Sequence, residues 1–145
     1  MRQNFDKYVQ KANLLIKEIA EELKLGEDRP KAYRIFKAVL HALRNKISTE
    51  ESLQLISQLP MLIKGVYVDG WKLNPNAQKA RTVEDFLEDV KKEEGVIGEW
   101  DFEDDEIGLA YVMGVFKVLS RHVSEGEIED IRRVFPEDMR FLFDN

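Results

Sequence analysis

Residues 39–71, VLHALRNKISTEESLQLISQLPMLIKGVYVDGW, carry the reading that decides the fold. Val39, Leu40, Leu43 and Ile47 recur at helical steps and close one amphipathic helix. Ser48-Thr49-Glu50-Glu51 then has the form of a capping box. The serine hydroxyl and the glutamate three residues on can each satisfy a free amide at a helix start. The helix opened there stops at Pro60, which lacks an amide hydrogen and blocks the turn before it. Met61 to Val66 read as a further short helical turn.

Working outward, Tyr33 and Phe36 extend the apolar face backward. Asp28 is the expected cap of this second helix, with Pro30 in its first turn. Before it, Phe5, Tyr8, Ala12, Leu15, Ile16, Ile19 and Leu23 define a first helix ending near Gly26. Beyond the quoted stretch, residues 67–81 read as a loop because they hold Gly, Pro and two Asn. Thr82 with Asp85 opens a helix to about Glu94, and GVIGEWDFE reads as an irregular link. Asp104, Asp105 and Glu106 suit the positive end of the next helix. That helix is apolar on nearly every side from Ile107 to Leu119, so it is expected at the centre of the protein. Ser124 with Glu127 repeats the capping box, and Pro136 starts a last turn.

A shift of 76 residues overlays part of the chain on itself: Val39 on Val115, Leu43 on Leu119, Ser48 on Ser124, Glu51 on Glu127 and Pro60 on Pro136. The matches fall on caps, core positions and helix-stopping prolines, which set geometry. The expected architecture is an all-α single-domain helical bundle over residues 1–145. It is built from two tandem helical repeats with a pseudo-twofold relation. Repeat one covers about residues 3–66, the loop 67–81, and repeat two about 82–145.

Composition sets the outer limits. The chain has 145 residues, 43% hydrophobic and 34% charged, which fits one globular domain and excludes disorder and collagen-like character. It has no cysteine, so thiolate chemistry is excluded. Its formal charge is −6, which disfavours a nucleic-acid coat over the whole surface. Charge is uneven, with net +3 over residues 1–70 (12 bases, 9 acids) and −9 over residues 71–145 (10 bases, 19 acids). MRQNFDKYVQ has no signal-peptide form, and the longest apolar run is too short to span a bilayer. A cytoplasmic protein without membrane insertion is expected.

The quoted stretch and the tail HVSEGEIEDIRRVFPEDMRFLF resemble bacterial domain-of-unknown-function family 2267, a group of small helical proteins. HALR at 41–44, QLP at 58–60 and YVDGW at 67–71 carry the resemblance most specifically. It extends from about Phe5 to Phe143, supports a helical fold, and implies no activity, cofactor or catalytic residue.

Searches for chemistry mostly fail. No serine lies in a Gly-x-Ser-x-Gly turn, and Ser48 and Ser124 are needed as caps. His41 and His122 have no triad partners and read as helix-surface residues. No HExxH or Glu-x-x-His pair appears. The acidic run from Asp101 to Glu106 fails the EF-hand register, since neither start puts Gly sixth and Glu twelfth. No catalytic residue, metal site or cofactor is therefore expected. Gly108 and Gly114 read as points of close helix approach.

Two features suggest partner or anion binding. Lys31, Arg34, Lys37, His41 and Arg44 form a basic stripe on the second helix. Arg can grip a carboxylate or phosphate in a two-pronged fork. The alternatives are a solvated face or pairing with the acidic second half. Tyr67 and Trp71 supply either an anchor for a partner's pocket or a cover for one end of the bundle, and Trp100 and Phe102 read the same way. The leading expectation is a non-catalytic protein–protein interaction or regulatory module of the bacterial cytoplasm. Its partner is an unidentified protein or a second copy of the chain. Arg34, Lys37, His41, Arg44, Tyr67 and Trp71 are its candidate binding residues. The alternatives are an enzyme or small anionic-ligand binder at the repeat junction and, more weakly, nucleic-acid binding by the stripe.

Overall fold

In the computed structural model, residues 4–73 and 80–144 are described. They form eight α-helices and two 3-10 segments, with no strand among the described residues. The helices are α1 (Asp6–Glu22), α2 (Arg29–Arg44), α3 (Thr49–Gln58), α4 (Met61–Val68), α5 (Val83–Glu94), α6 (Gly98–Asp101), α7 (Asp105–Ser120) and α8 (Glu125–Val134). The 3-10 segments are Gly95–Ile97 and Glu137–Phe143.

The expected caps form. Asp28 accepts from the Lys31 amide at 3.2 Å, Ser48 from Glu51 at 3.1 Å, Thr82 from Asp85 at 3.1 Å and Ser124 from Glu127 at 3.1 Å. Asp104 accepts from Glu106 at 2.8 Å. The two capping boxes are only half built, however. The Ser124 amide donates to Gln58 Oε1 at 2.6 Å instead of to Glu127. The Glu51 and Glu127 side chains turn away from their own helix starts.

Three local expectations need correction. Helix α4 continues through Val68, so the expected loop begins two residues late, and residues 74–79 of it lie outside the described residues. The link after Glu94 is regular: Gly95 turns the chain at φ +81°, and a 3-10 turn leads directly into α6. The centre of the protein is α2, not α7. Ten of the sixteen residues of α2 are buried, against seven of sixteen in α7, where Ile107 is exposed. Helix α2 packs against α1, α4, α5 and α7, so even its polar positions are covered.

The core is continuous across these helices. Phe116 stacks on Phe143 with centroids 4.3 Å apart, and Phe135 meets both Phe86 and Phe143 edge-on. These rings hold the last 3-10 segment on α5 and α7. Close approach at Gly108 and Gly114 holds as expected. A methyl at Gly108 would press on Phe102 at 3.1 Å, and one at Gly114 would run into Leu23.

Candidate functional site

Each basic side chain of the α2 stripe meets a partner elsewhere in the protein, while Lys31, Arg34 and Lys37 stay partly exposed. His41 is 5% exposed and Arg44 7%. His41 Nε2 lies 2.7 Å from the Val66 carbonyl, a geometry in which Nε2–H donates. Burial pushes the imidazole below its usual range, so neutral His41 is the donor. Arg44 Nη1 donates to the Tyr67 and Asp69 carbonyls at 2.6 and 2.7 Å. These two side chains close the C-terminal end of α4, where helix carbonyls lack amide partners. The reading of His41 as a surface residue is therefore corrected. Tyr67 is fully buried, donating or accepting at 2.6 Å with Ser52 Oγ, and burial pushes its hydroxyl up to about 12. Trp71 is half-buried and packs edge-to-face on Tyr67 at 5.9 Å. Lys37 reaches the exposed Asp69 carboxylate at 3.3 Å.

Arg34 belongs to an acid pair. Its Nε donates to Asp101 Oδ2 at 2.7 Å and its Nη2 to Asp101 Oδ1 at 3.1 Å, a two-pronged fork. Glu94 Oε1 lies 3.2 Å from the same Nε. That single N–H already points at Asp101, so Glu94 gains attraction but no donor. The Glu94 and Asp101 side chains are 2% and 4% exposed. Burial, then the neighbouring Asp101, push the Glu94 carboxyl up to about 8, against the pull of Arg34. Burial also works against the charged form of Asp101, but hydrogen bonds from Arg34 and Glu94 outweigh it and hold Asp101 below its usual range. Protonated Glu94 donating to ionised Asp101 satisfies both groups. The acid run from Asp101 to Glu106 thus splits, with Asp101 serving this pair and Asp104 a helix cap.

A second acid cluster joins α3 to α8. Carboxylate oxygens of Glu51, Glu127 and Asp130 all lie within 4.8 Å of one another. Glu127 is 4% exposed, Glu51 is half-buried and Asp130 is exposed. Glu127 Oε2 and Glu51 Oε2 are shielded from solvent with no hydrogen-bond partner. Burial, then Glu51, push the Glu127 carboxyl up to about 8, and every charged neighbour acting on it is acidic. Among the described residues no Lys, Arg or His forms an ion pair with any of the three. Sequence reasoning assigned Glu51 and Glu127 to capping boxes and missed this cluster. The sequence signal for it was their equivalence under the 76-residue shift.

The link between α5 and α7 carries the two most exposed large apolar side chains among the described residues. Val96 is 90% exposed and Trp100 75%, while Phe102, two residues on, is fully buried. Of the two link aromatics, Phe102 is the cover and Trp100 is not. Residues 93–106 contain eight acids and no base.

The fold and these sites define a small all-α protein whose buried ionisable groups lie between helices rather than in a nucleophile–base constellation. Residues 12–142 match the family described as "Uncharacterized conserved protein (DUF2267)", and the chain belongs to that family. The family has no characterised role. A comparison with curated proteins gives no match. Among the described residues, no helix is long and apolar enough to cross a membrane.

Proposed function

We propose that this protein is a non-catalytic interaction module of the bacterial cytoplasm that docks a protein partner through the tip formed by Val96, Ile97 and Trp100. The observation carrying this reading is an exposed tryptophan on an ordered link, since tryptophan is the residue most enriched at binding hot spots. The acids of residues 93–106 surround that tip in sequence. The partner it fits has an apolar pocket with a basic rim. The same acids disfavour nucleic acid. An anionic ligand at the stripe would have to displace Asp101 from Arg34, which weakens the ligand-binding alternative.

Within this reading, the tandem-repeat architecture supplies the rigid support. Several backbone values recur at the 76-residue shift: φ/ψ −66/160° at Ser48 and −66/153° at Ser124, and −55/150° at Pro60 and −54/150° at Pro136. Helices α2 and α7 are both sixteen residues long, and α3 and α8 both ten. These likenesses support two repeats, about 3–66 and 82–145, in one domain. Of the six candidate binding residues, Arg34, Lys37 and Trp71 retain surface that a partner can touch. His41, Arg44 and Tyr67 serve the module from within.

The test uses fluorescence. In Trp71→Phe protein Trp100 is the single tryptophan, and burial by a partner shifts its emission to the blue. A purified partner identified by capture is expected to give that shift, and to bind Trp100→Ala protein at least about tenfold more weakly. Affinity is expected to fall with salt. Equal binding by folded Trp100→Ala protein, or substrate turnover abolished by a point substitution, would overturn the proposal.

A further inference from the structure

The two acid clusters differ in one respect. The Glu94–Asp101 pair has Arg34 lying across it, with Lys31 4.0 Å from Asp101. The Glu51–Glu127–Asp130 cluster has three carboxylates and no positive group of its own among the described residues. Burying carboxylates costs several kcal/mol each unless charge or hydrogen bonds compensate. Glu127 is over nine-tenths buried, and its Oε2 points into the cluster with no donor to meet it. Glu51 presents a second unpartnered oxygen from the facing helix.

From the geometry we infer that Glu51, Glu127 and Asp130 form a binding site for one hard divalent cation of the magnesium, calcium or manganese type, tying α3 to α8. The donor set is all oxygen, which suits these ions rather than zinc or copper. The three oxygens lie within 4.8 Å of one another, and a calcium ion about 2.4 Å from each reaches all three once they close to about 4.2 Å, a short swing for exposed Asp130. Exposed Asp130 leaves one side open to solvent, so water can complete the coordination shell. Two ligands come from α8, one turn apart at Glu127 and Asp130, and helical spacing puts them on one face. The third comes from α3, whose start is fixed by the Ser48 cap. Next to Glu51 on α3, Ser52 is buried and bonded to Tyr67. This inference is independent of the docking proposal and concerns a different part of the surface.

The competing occupant is a proton shared between Glu51 and Glu127. Calorimetric titration of chelator-treated protein with calcium, magnesium or manganese chloride alone separates the two. Manganese binding is also read directly by loss of its free paramagnetic resonance signal. One saturable site per chain is expected for at least one of these ions. Glu127→Gln should weaken it at least about tenfold, as loss of a charged ligand does, and Asp130→Asn should weaken it as well. Glu94→Gln, at the other acid pair, should leave it unchanged. Asp130 is exposed and its replacement leaves the fold intact, so the test survives even if Glu127→Gln misfolds. Absence of a saturable site at millimolar cation would overturn the inference in favour of the shared proton. Binding unaffected by Asp130→Asn would overturn it in favour of diffuse attraction to surface acids.

Discussion

Replacing Glu94 with glutamine keeps the shape of one acid pair and removes its ability to ionise. In the native protein burial raises the Glu94 carboxyl from an ordinary value of 4.5 to about 8. Between those values the folded state holds a proton that the unfolded chain has released. Stability therefore falls as pH rises through that window. The slope is about 1.4 kcal/mol per pH unit for one proton, so Glu94 alone lowers stability by up to about 3 kcal/mol between pH 6 and pH 8. Asp101 and Glu18 act in the opposite sense. Their carboxyls are held low, so their contributions are present above about pH 4 and lost in acid. Maximum stability should lie between about pH 4 and pH 6. Urea unfolding in chelator at pH 5.5, 7 and 8.5 checks this. Glu94→Gln should be more stable than wild type by about 1.4 kcal/mol at pH 5.5, and the gap should widen by about 3 kcal/mol at pH 8.5. If the variant were less stable by the same amount at every pH, Glu94 would be an ionised partner of Arg34. The shared-proton reading would then be wrong.

Two further substitutions probe the same region. Arg34→Ala removes the two-pronged fork and its charge from buried Asp101, leaving Glu94 as a donor, and should cost about 2–4 kcal/mol at pH 7 in urea unfolding, partly recovered by adding Asp101→Asn. A loss under about 1 kcal/mol would mark the fork as a screened surface pair. Gly98→Ala places a methyl against the Lys91 carbonyl oxygen, which is backbone and cannot swing aside. It should cost about 1–3 kcal/mol. Gly126→Ala in α8 meets no atom within 4 Å and should stabilise by up to about 1 kcal/mol, both read by calorimetric melting.

Local chemistry made the helix starts legible. Asp28, Ser48, Thr82, Asp104 and Ser124 cap where their side chains and following residues say they should. Helical spacing also put the stripe residues on one side of α2. It could not say what covers that side. Asp101 stands 67 residues from Arg34, and the carbonyls gripped by Arg44 stand 23 and 25 residues away. Such pairings depend on packing between helices, not on spacing within one. The same limit explains the misplaced centre. Helix α7 is more apolar, but α2 is more enclosed because its polar side chains find carboxylate or carbonyl partners on the segments packed around it. The capping-box glutamates were misread for a related reason. The motif promises a bond back to the serine amide, yet Gln58 reached the Ser124 amide first and freed Glu127 to face Glu51. Trp100 and Phe102 show the finest grain of the problem. Two residues apart, one is exposed and one enclosed, because a one-turn helix ends between them.

Glu94 and Glu127 are buried at contacts between helices of the first and second halves, where burial raises both carboxyls to about 8. Carbon-detected magnetic resonance of the glutamate carboxyls, followed from pH 3 to pH 10 in chelator, measures this directly. Glu94 and Glu127 are expected to titrate at about 8. Titration of both in the ordinary carboxylate range would contradict this.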